Sequence, residues 1–82
     1  MKYYVLTSRV ETTMEAPAIF SIFEKAHEQM EREFNDRLEG LKEDEAEISC
    51  SRLSEDWATI ESDEYFEWSI NACSVDELVK QF

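Results

Sequence analysis

The spacing of apolar residues along the chain changes from mixed to helical to alternating, and this order predicts the secondary structure. Residues 2–10 are rich in Tyr, Val, Leu and Thr, the composition of a β-strand. Tyr3 and Val5 fall on one face of this strand, whereas Tyr4 and Leu6 fall on the other. Because apolar residues occupy both faces, we expect the strand to lie in the interior of a sheet.

Residues 11–17 are predicted to be a loop, since Pro17 starts a helix or lies outside one. The helix that follows has two candidate starts: Pro17 as its first residue, or Ser21 as N-cap of a capping box with Glu24. We favour Ser21, which leaves residues 16–20 as a short strand or an opening turn. The helix is expected to end at Gly40. Its apolar face comprises Ile22, Phe23, Ala26, Met30, Phe34, Leu38 and Leu41.

Beyond the helix, apolar and polar residues alternate, which predicts half-buried antiparallel strands near residues 46–51, 57–61 and 65–72. Polar segments at residues 54–56 and 62–64 predict the turns between them. Ser74 and Glu77 repeat the capping-box spacing, and a short closing helix follows from the apolar residues Val75, Leu78, Val79 and Phe82.

These elements predict an α+β fold in which residues 1–82 form a single domain. We expect an antiparallel sheet of about four strands, with one long helix packed on a face and a short C-terminal helix.

The charge of the chain is strongly one-sided. The chain has twenty Asp and Glu residues and eight Lys and Arg residues, which gives a net charge of −12. It is nevertheless 43% hydrophobic and contains ten aromatic residues (two Trp, three Tyr and five Phe). A disordered acidic tail lacks aromatic residues to bury, so the charge is displayed by a folded domain. Nucleic-acid phosphates and anionic membranes repel such a domain, whereas basic protein surfaces attract it.

We therefore expect a basic protein surface as partner, with no direct nucleic-acid binding and no membrane binding. The apolar run at residues 3–6 is too short for a signal peptide, and no segment approaches the ~18 apolar residues of a membrane span. A cytoplasmic protein is the expectation from these features.

Candidate catalytic and metal-binding residues are few. His27 is the one histidine and has no ligand pair at usable spacing, and Cys50 and Cys73 are expected to be reduced, small buried hydrophobic residues. Gly40 is the one glycine, so a glycine-rich phosphate-binding loop is excluded. The sequence thus predicts no enzyme activity, no cofactor and no metal site.

Three groups of residues are candidates for binding a partner. Glu24, Glu28 and Glu31 form an acidic column on the polar face of the helix, which we name the helix column. A second acidic cluster follows the helix and comprises Glu43, Asp44, Glu45 and Glu47. Trp57 and Tyr65 fall on the polar sides of their strands, where they form either a contact patch or a core beneath the closing helix.

The order of elements resembles that of small acidic proteins of unknown function from bacteria and their mobile elements. The likeness is carried by a strand, residues 20–26 opening a long helix, and a closing hairpin with residues 57–61 and 67–70. In charge and size the chain also resembles phage-encoded inhibitors of host defence nucleases, which imitate nucleic acid. The resemblance implies an anti-defence context and transfers no catalytic residue.

The leading hypothesis is a non-catalytic acidic protein that masks a basic surface of a partner protein, such as the nucleic-acid channel of a defence nuclease. It would present the helix column, the cluster at residues 43–47 and the acidic turns at residues 54–56 and 62–64. The alternative is a small homodimeric structural or regulatory module. Its dimer would form through a sheet edge or through the face with Trp57 and Tyr65, and its charge would serve solubility.

Overall fold

The computed structural model of the protein describes residues 2–74 and packs one long helix on one face of an antiparallel sheet. The elements in chain order are β1 (Lys2–Val10), β2 (Thr13–Met14), β3 (Ala18–Phe20), α1 (Phe23–Glu43), β4 (Cys50–Leu53), β5 (Trp57–Glu61) and β6 (Tyr65–Ser74). The α+β class and the packed helix are confirmed. The sheet has six strands rather than about four. The predicted closing helix falls on residues 75–82, outside the described residues, and Ser74 is the last residue of β6.

The strand order is β2-β1-β6-β5-β4, with β3 paired to the same edge of β1 as β2. β1 pairs with β6 along its whole length, from Lys2 opposite Ser74 to Val10 opposite Phe66. The prediction of an internal first strand is therefore confirmed. The two additional strands cover backbone groups along the other edge of β1. β2 lies inside the predicted loop at residues 11–17, because a two-residue strand is too short to show a period.

The hydrophobic core lies between α1 and the sheet. Ala26, Met30 and Phe34 of the helix are buried against Leu6, Ala58, Ile60, Phe66, Trp68 and Ile70 of the strands. The Phe34 and Trp68 rings meet edge to face with their centroids 5.9 Å apart. The helical and alternating apolar patterns thus meet on one side of the sheet.

Both ends of the helix differ from the sequence prediction. Ile22, not Ser21, is the N-cap residue, because it carries the last extended backbone (φ −126°, ψ 128°) before Phe23. The helix continues through Gly40 to Glu43, since Leu41 packs against the core and extends the apolar face by one residue beyond Gly40. No described helix is both long and apolar enough to cross a membrane.

A Schellman motif ends the helix. The Ala46 N–H donates to the Leu41 carbonyl at 2.9 Å, and the Glu45 N–H donates to the Lys42 carbonyl at 3.1 Å. Glu45 occupies the left-handed position with φ 58°, where glycine is the usual residue. β4 consequently starts at Cys50, later than the predicted residue 46, because residues 44–49 form the helix end and the connection.

Candidate partner-binding surfaces

Three acidic segments meet at one end of the sheet. Val10 pairs with Phe66, so the turn after β1 lies beside the turn between β5 and β6, and Cys50 pairs with Glu61 at the same end. The C-terminal end of α1 also reaches this end, because Asp44 lines the same cleft as Val10 and Phe66. We define the acidic end as eight residues, namely Glu11, Glu43, Asp44, Glu45, Glu47, Glu61, Asp63 and Glu64.

The carboxylates of the acidic end face solvent, and Lys42, directly before Glu43, is the one basic residue adjacent to them in sequence. All eight residues are exposed, and residues 11–12, 43–47 and 61–64 contain no Lys or Arg. Within residues 2–74, none of the eight takes part in an ion pair. The turns that carry them are fixed by hydrogen bonds. The Glu11 N–H donates to the Tyr65 carbonyl at 2.7 Å, and the Glu11 carboxylate accepts the Tyr65 N–H at 2.9 Å.

The helix column lies elsewhere on the molecule. Glu28 and Glu43 are separated by 15 residues of helix, or about 22 Å. Glu24, Glu28 and Glu31 are exposed, but two of them have a basic neighbour. The Glu28 carboxylate lies 3.7 Å from Lys25 Nζ, and the Glu31 carboxylate lies 3.5 Å from His27 Nε2. The structure therefore does not bring the two predicted acidic clusters together.

His27 connects the helix to the sheet. Its Nδ1 lies 2.8 Å from the Glu55 carbonyl oxygen in the turn between β4 and β5, which makes Nδ1 the donor. Its ring also stacks on Phe23. Over the described part of the chain, no group of three or more His, Cys, Asp or Glu residues is placed to hold a metal ion.

The sheet face opposite α1, which we name the open face, has no other described element packed on it. Trp57 on this face is 39% exposed, and Tyr65 is half-buried. Trp57 pairs with Ser69 of β6, which lies four residues from Tyr65 in the same strand. The two aromatic residues are therefore about 13 Å apart along the strand direction. Partial burial, with the neighbouring Glu67 charge and its hydrogen bond, raises the pKa of the Tyr65 phenol. Both aromatic residues thus lie away from the core under α1.

The open face also carries Met14 and Ile19, which are 58% and 60% exposed. Its charged residues balance, in contrast to the rest of the chain. Arg9 forms an ion pair with Glu67 across β1 and β6. The remaining charged side chains that the register places there are Arg52 of β4 and Glu61 of β5. These two Arg and two Glu residues balance, and Glu61, which also belongs to the acidic end, lies at the border of the face.

Cys50 and Cys73 both belong to the open face and are half-buried rather than fully buried. Strand β5 separates their strands, so they are about 10 Å apart across the sheet. Cys50 pairs with Glu61, which pairs with Tyr65 of β6. Because Tyr65 and Cys73 are eight residues apart in β6, the two cysteines are also about 26 Å apart along the strand direction. A disulfide needs Cα atoms within about 7 Å, so the two thiols cannot bond within one chain.

A cleft of about 340 Å³ lies between the C-terminal half of α1 and the sheet. The Arg37 guanidinium lies 4.8 Å from the centre of the Phe66 ring at this cleft, and Glu33 and Asp36 also line it. Trp68 lines it too, and its Nε1 is buried with no acceptor among the described residues. The lining residues include Ser8 but neither Cys nor His, so the cleft contains no nucleophile paired with a histidine base.

Two residues of the acidic end, Glu11 and Glu61, were not among the candidates from the sequence, whereas Asp63 and Glu64 belong to the predicted acidic turn at residues 62–64. The signal that identifies them is the pairing of β1 with β6, which brings two distant turns to one end. A scan of protein-family models and searches of curated proteins and of solved structures find no match to this chain.

Proposed function

We propose that this protein is a non-catalytic binding protein whose acidic end occupies a basic surface of a partner protein. The observation that carries the proposal is the convergence of eight exposed carboxylates from three segments at one end of the sheet, with no ion pair to any of them within residues 2–74. This arrangement lowers the stability of the fold, because like charges gathered at one end repel one another.

The physics of such an end favours a partner that binds nucleic acid. A concentrated anionic surface attracts basic protein surfaces, and the summed field accelerates association without matching individual charges. Proteins that bind nucleic acid display basic surfaces to contact phosphates. An acidic end seated on such a surface competes with phosphates, which is the action of a nucleic-acid-mimicking inhibitor of a defence nuclease.

The acidic end is favoured over the helix column because its charge is less compensated. Glu28 has Lys25 beside it, and Arg32 follows in the same helix. His27 lies beside Glu31 and compensates its charge only when the imidazole is protonated. At the acidic end Lys42 directly precedes Glu43, but within residues 2–74 no ion pair reaches any of the eight carboxylates. The two surfaces therefore differ in field strength although both are exposed.

Two variants of equal net charge test this proposal. One carries Glu43→Gln, Asp44→Asn and Glu47→Gln at the acidic end, and avoids Glu11 and Glu45 because of their roles in the turns. The control carries Glu24→Gln, Glu28→Gln and Glu31→Gln. The partner is first captured from host lysate by the parent protein, identified and purified, and each variant is then titrated against it.

We expect the acidic-end variant to bind the purified partner about tenfold more weakly, mainly through slower association, and the control to change affinity by less than about threefold. Binding of the parent should weaken between about 0.1 M and 1 M salt, as the Debye length falls from about 10 Å to about 3 Å. Equal affinities for all three proteins, or affinity independent of salt, would contradict the proposal.

A structural homodimer is the second candidate, and the neutral open face with its exposed Trp57, Ile19 and Met14 is the observation that favours it. In that case the acidic end serves solubility, and no basic partner is captured at low salt.

A further inference from the structure

We propose that the cleft between α1 and the sheet binds an arginine side chain of the partner protein, with the guanidinium group over Gly40 and between Asp36 and Asp44. This proposal rests on the proposed function, because it takes a basic partner protein as given, and it adds the side chain by which that partner is held. It follows from a helix glycine, the charge of the cleft and a buried donor in the cleft wall.

Gly40 leaves a gap in the helix side of the cleft. It is the one glycine of the chain and lies three residues before the end of α1, where glycine is less favourable than alanine. A Cβ atom at this position would meet no atom within 4 Å, and Gly40 does not have a positive φ. Neither a close approach nor the backbone conformation therefore requires a glycine. The missing side chain instead leaves open space in the cleft that Gly40 lines.

Two carboxylates flank this gap on the helix. Asp36, Gly40 and Asp44 are spaced four residues apart, so they form one column on the face of α1 that lines the cleft. Each Asp is about 6 Å from Gly40 along the helix axis. Both are exposed, and within residues 2–74 neither takes part in an ion pair. A cation over Gly40 thus has a carboxylate on either side.

The rest of the lining adds negative charge. Glu15 lies on the sheet side of the cleft, and its N–H donates to the Ser8 carbonyl at 2.9 Å, which holds this segment against β1. Glu33 is the fourth acidic residue of the lining. Of the two Arg residues there, Arg9 is already paired with Glu67 on the open face. The cleft is therefore anionic, and it attracts a cation and repels an anion.

The apolar part of the cleft favours a guanidinium over an ammonium group. It consists of Phe66, Trp68, Val10 and Leu41. The Arg37 guanidinium lies 4.8 Å from the centre of the Phe66 ring, so a guanidinium is compatible with this wall. A guanidinium is planar, stacks on aromatic rings and is more weakly hydrated than an ammonium group. We therefore expect arginine rather than lysine.

Trp68 favours an occupant that also contributes an acceptor. It is 5% exposed and lines the cleft, and its Nε1 has no acceptor among the described residues. A buried donor without an acceptor is unfavourable. A free polyamine has donors only, whereas an arginine within a polypeptide also brings backbone carbonyl oxygens. At about 340 Å³, the cleft is within the size range of ligand sites and admits a side chain with its adjoining backbone.

The test uses N-acetyl-L-arginine N-methylamide, which combines a guanidinium group with two backbone carbonyls. It is titrated into the ¹⁵N-labelled full chain, and the indole N–H signals of the two tryptophans are followed by NMR. Trp57 lies on the open face and is the internal reference, and Trp57→Phe assigns the signals. We expect the Trp68 signal to shift with a dissociation constant on the order of millimolar, and the Trp57 signal not to move. An unchanged Trp68 signal would overturn the proposal.

Two related compounds test the chemistry of the occupant. The citrulline analogue has nearly the same shape as the arginine compound but no charge, and it should bind at least about tenfold more weakly. The lysine analogue should bind about threefold more weakly. Equal affinity for the arginine and citrulline compounds would show that the cleft does not recognise the cation. Equal affinity for the lysine compound would overturn the assignment to a guanidinium.

Two pairs of variants test the position. Gly40→Leu should fill the gap and raise the dissociation constant at least about tenfold, whereas Gly40→Ala, with one added methyl group, should have a smaller effect. Asp36→Asn should weaken binding about threefold to fivefold. Glu39→Gln removes one charge from an exposed residue outside the cleft and should change affinity by less than about twofold. Circular dichroism verifies folding, and parent affinity in Gly40→Leu would place the guanidinium elsewhere.

The purified partner separates this proposal from the proposed function. Gly40→Leu retains every charge, so it should accelerate dissociation of the partner about tenfold and leave the association rate and its salt dependence unchanged. The acidic-end variant instead slows association. Asp44 belongs to both surfaces, so the cleft is tested through Gly40 and Asp36. If Gly40→Leu dissociates like the parent while the acidic-end variant binds weakly, this proposal alone is overturned. The opposite pair of results would overturn the proposed function alone.

Discussion

At the scale of single residues, Glu45 shows how the fold tolerates an unfavourable local choice. A non-glycine residue in the left-handed region is strained by about 1–2 kcal/mol, and a negative charge at a helix C-terminus opposes the macrodipole. The two Schellman hydrogen bonds through Glu45 and Ala46 maintain the conformation. Local stability therefore does not account for an acidic residue at this position.

Glu45→Gly should stabilise the protein by about 1 kcal/mol, because glycine removes the strain and the charge at some cost in unfolded-chain entropy. A change of this size raises the melting temperature by about 4–8 °C in a domain this small. Glu47→Gly is the matched control, since it removes the same charge where the backbone φ is not positive. It should leave the melting temperature unchanged or lower. A melting temperature for Glu45→Gly no higher than that of the control would show that the strain is absent.

At the scale of elements, the sequence predicted the helix and strands that carry a sustained apolar period. It did not predict the features that depend on contacts between segments distant in the chain. The long helix and the β5–β6 hairpin carry sustained patterns of apolar residues, so both were predicted close to their observed positions. β2 and β3 have two and three residues, too few for a period, so β2 was missed and residues 16–20 were left open between a strand and a turn. The C-terminal end of α1 depends on the packing of Leu41 against the core. The acidic end was predicted only in part. Its cluster at residues 43–47 and the turn at residues 62–64 were candidates, but their convergence with Glu11 and Glu61 depends on β1 pairing with β6.

The packing of α1 on the sheet provides the test of this arrangement. Phe34 is 6% exposed and meets Trp68 edge to face, so Phe34→Ala should cost about 3–5 kcal/mol. That loss is a large part of the roughly 5–15 kcal/mol that stabilises a domain. Asn35→Ala, one residue further along the helix and exposed, should change stability by less than about 0.5 kcal/mol. Urea unfolding followed by circular dichroism measures both, and equal midpoints for the two variants would contradict the observed helix orientation.

At the scale of the whole molecule, charge is distributed by surface. The core lies on one side of the sheet, the open face with balanced charges on the other, and eight exposed carboxylates gather at one end. This separation lets the protein be strongly anionic while keeping a face that a neutral surface can contact. Its cost is repulsion among the eight carboxylates of the acidic end, which should appear as a dependence of stability on salt.

Raising the salt from about 0.01 M to about 0.1 M shortens the Debye length from about 30 Å to about 10 Å, so the urea midpoint of the parent should rise. The measurement uses Ile19→Thr as background, because dimerisation would also increase with salt. In that background, the variant with Glu43→Gln, Asp44→Asn and Glu47→Gln should lose more of the salt dependence than the variant with Glu24→Gln, Glu28→Gln and Glu31→Gln. Both variants have the same net charge, so only the position of the removed carboxylates differs. Identical salt dependence in the two variants would mean that the repulsion is spread over the molecule, and the acidic end would then have no special field to offer a basic partner.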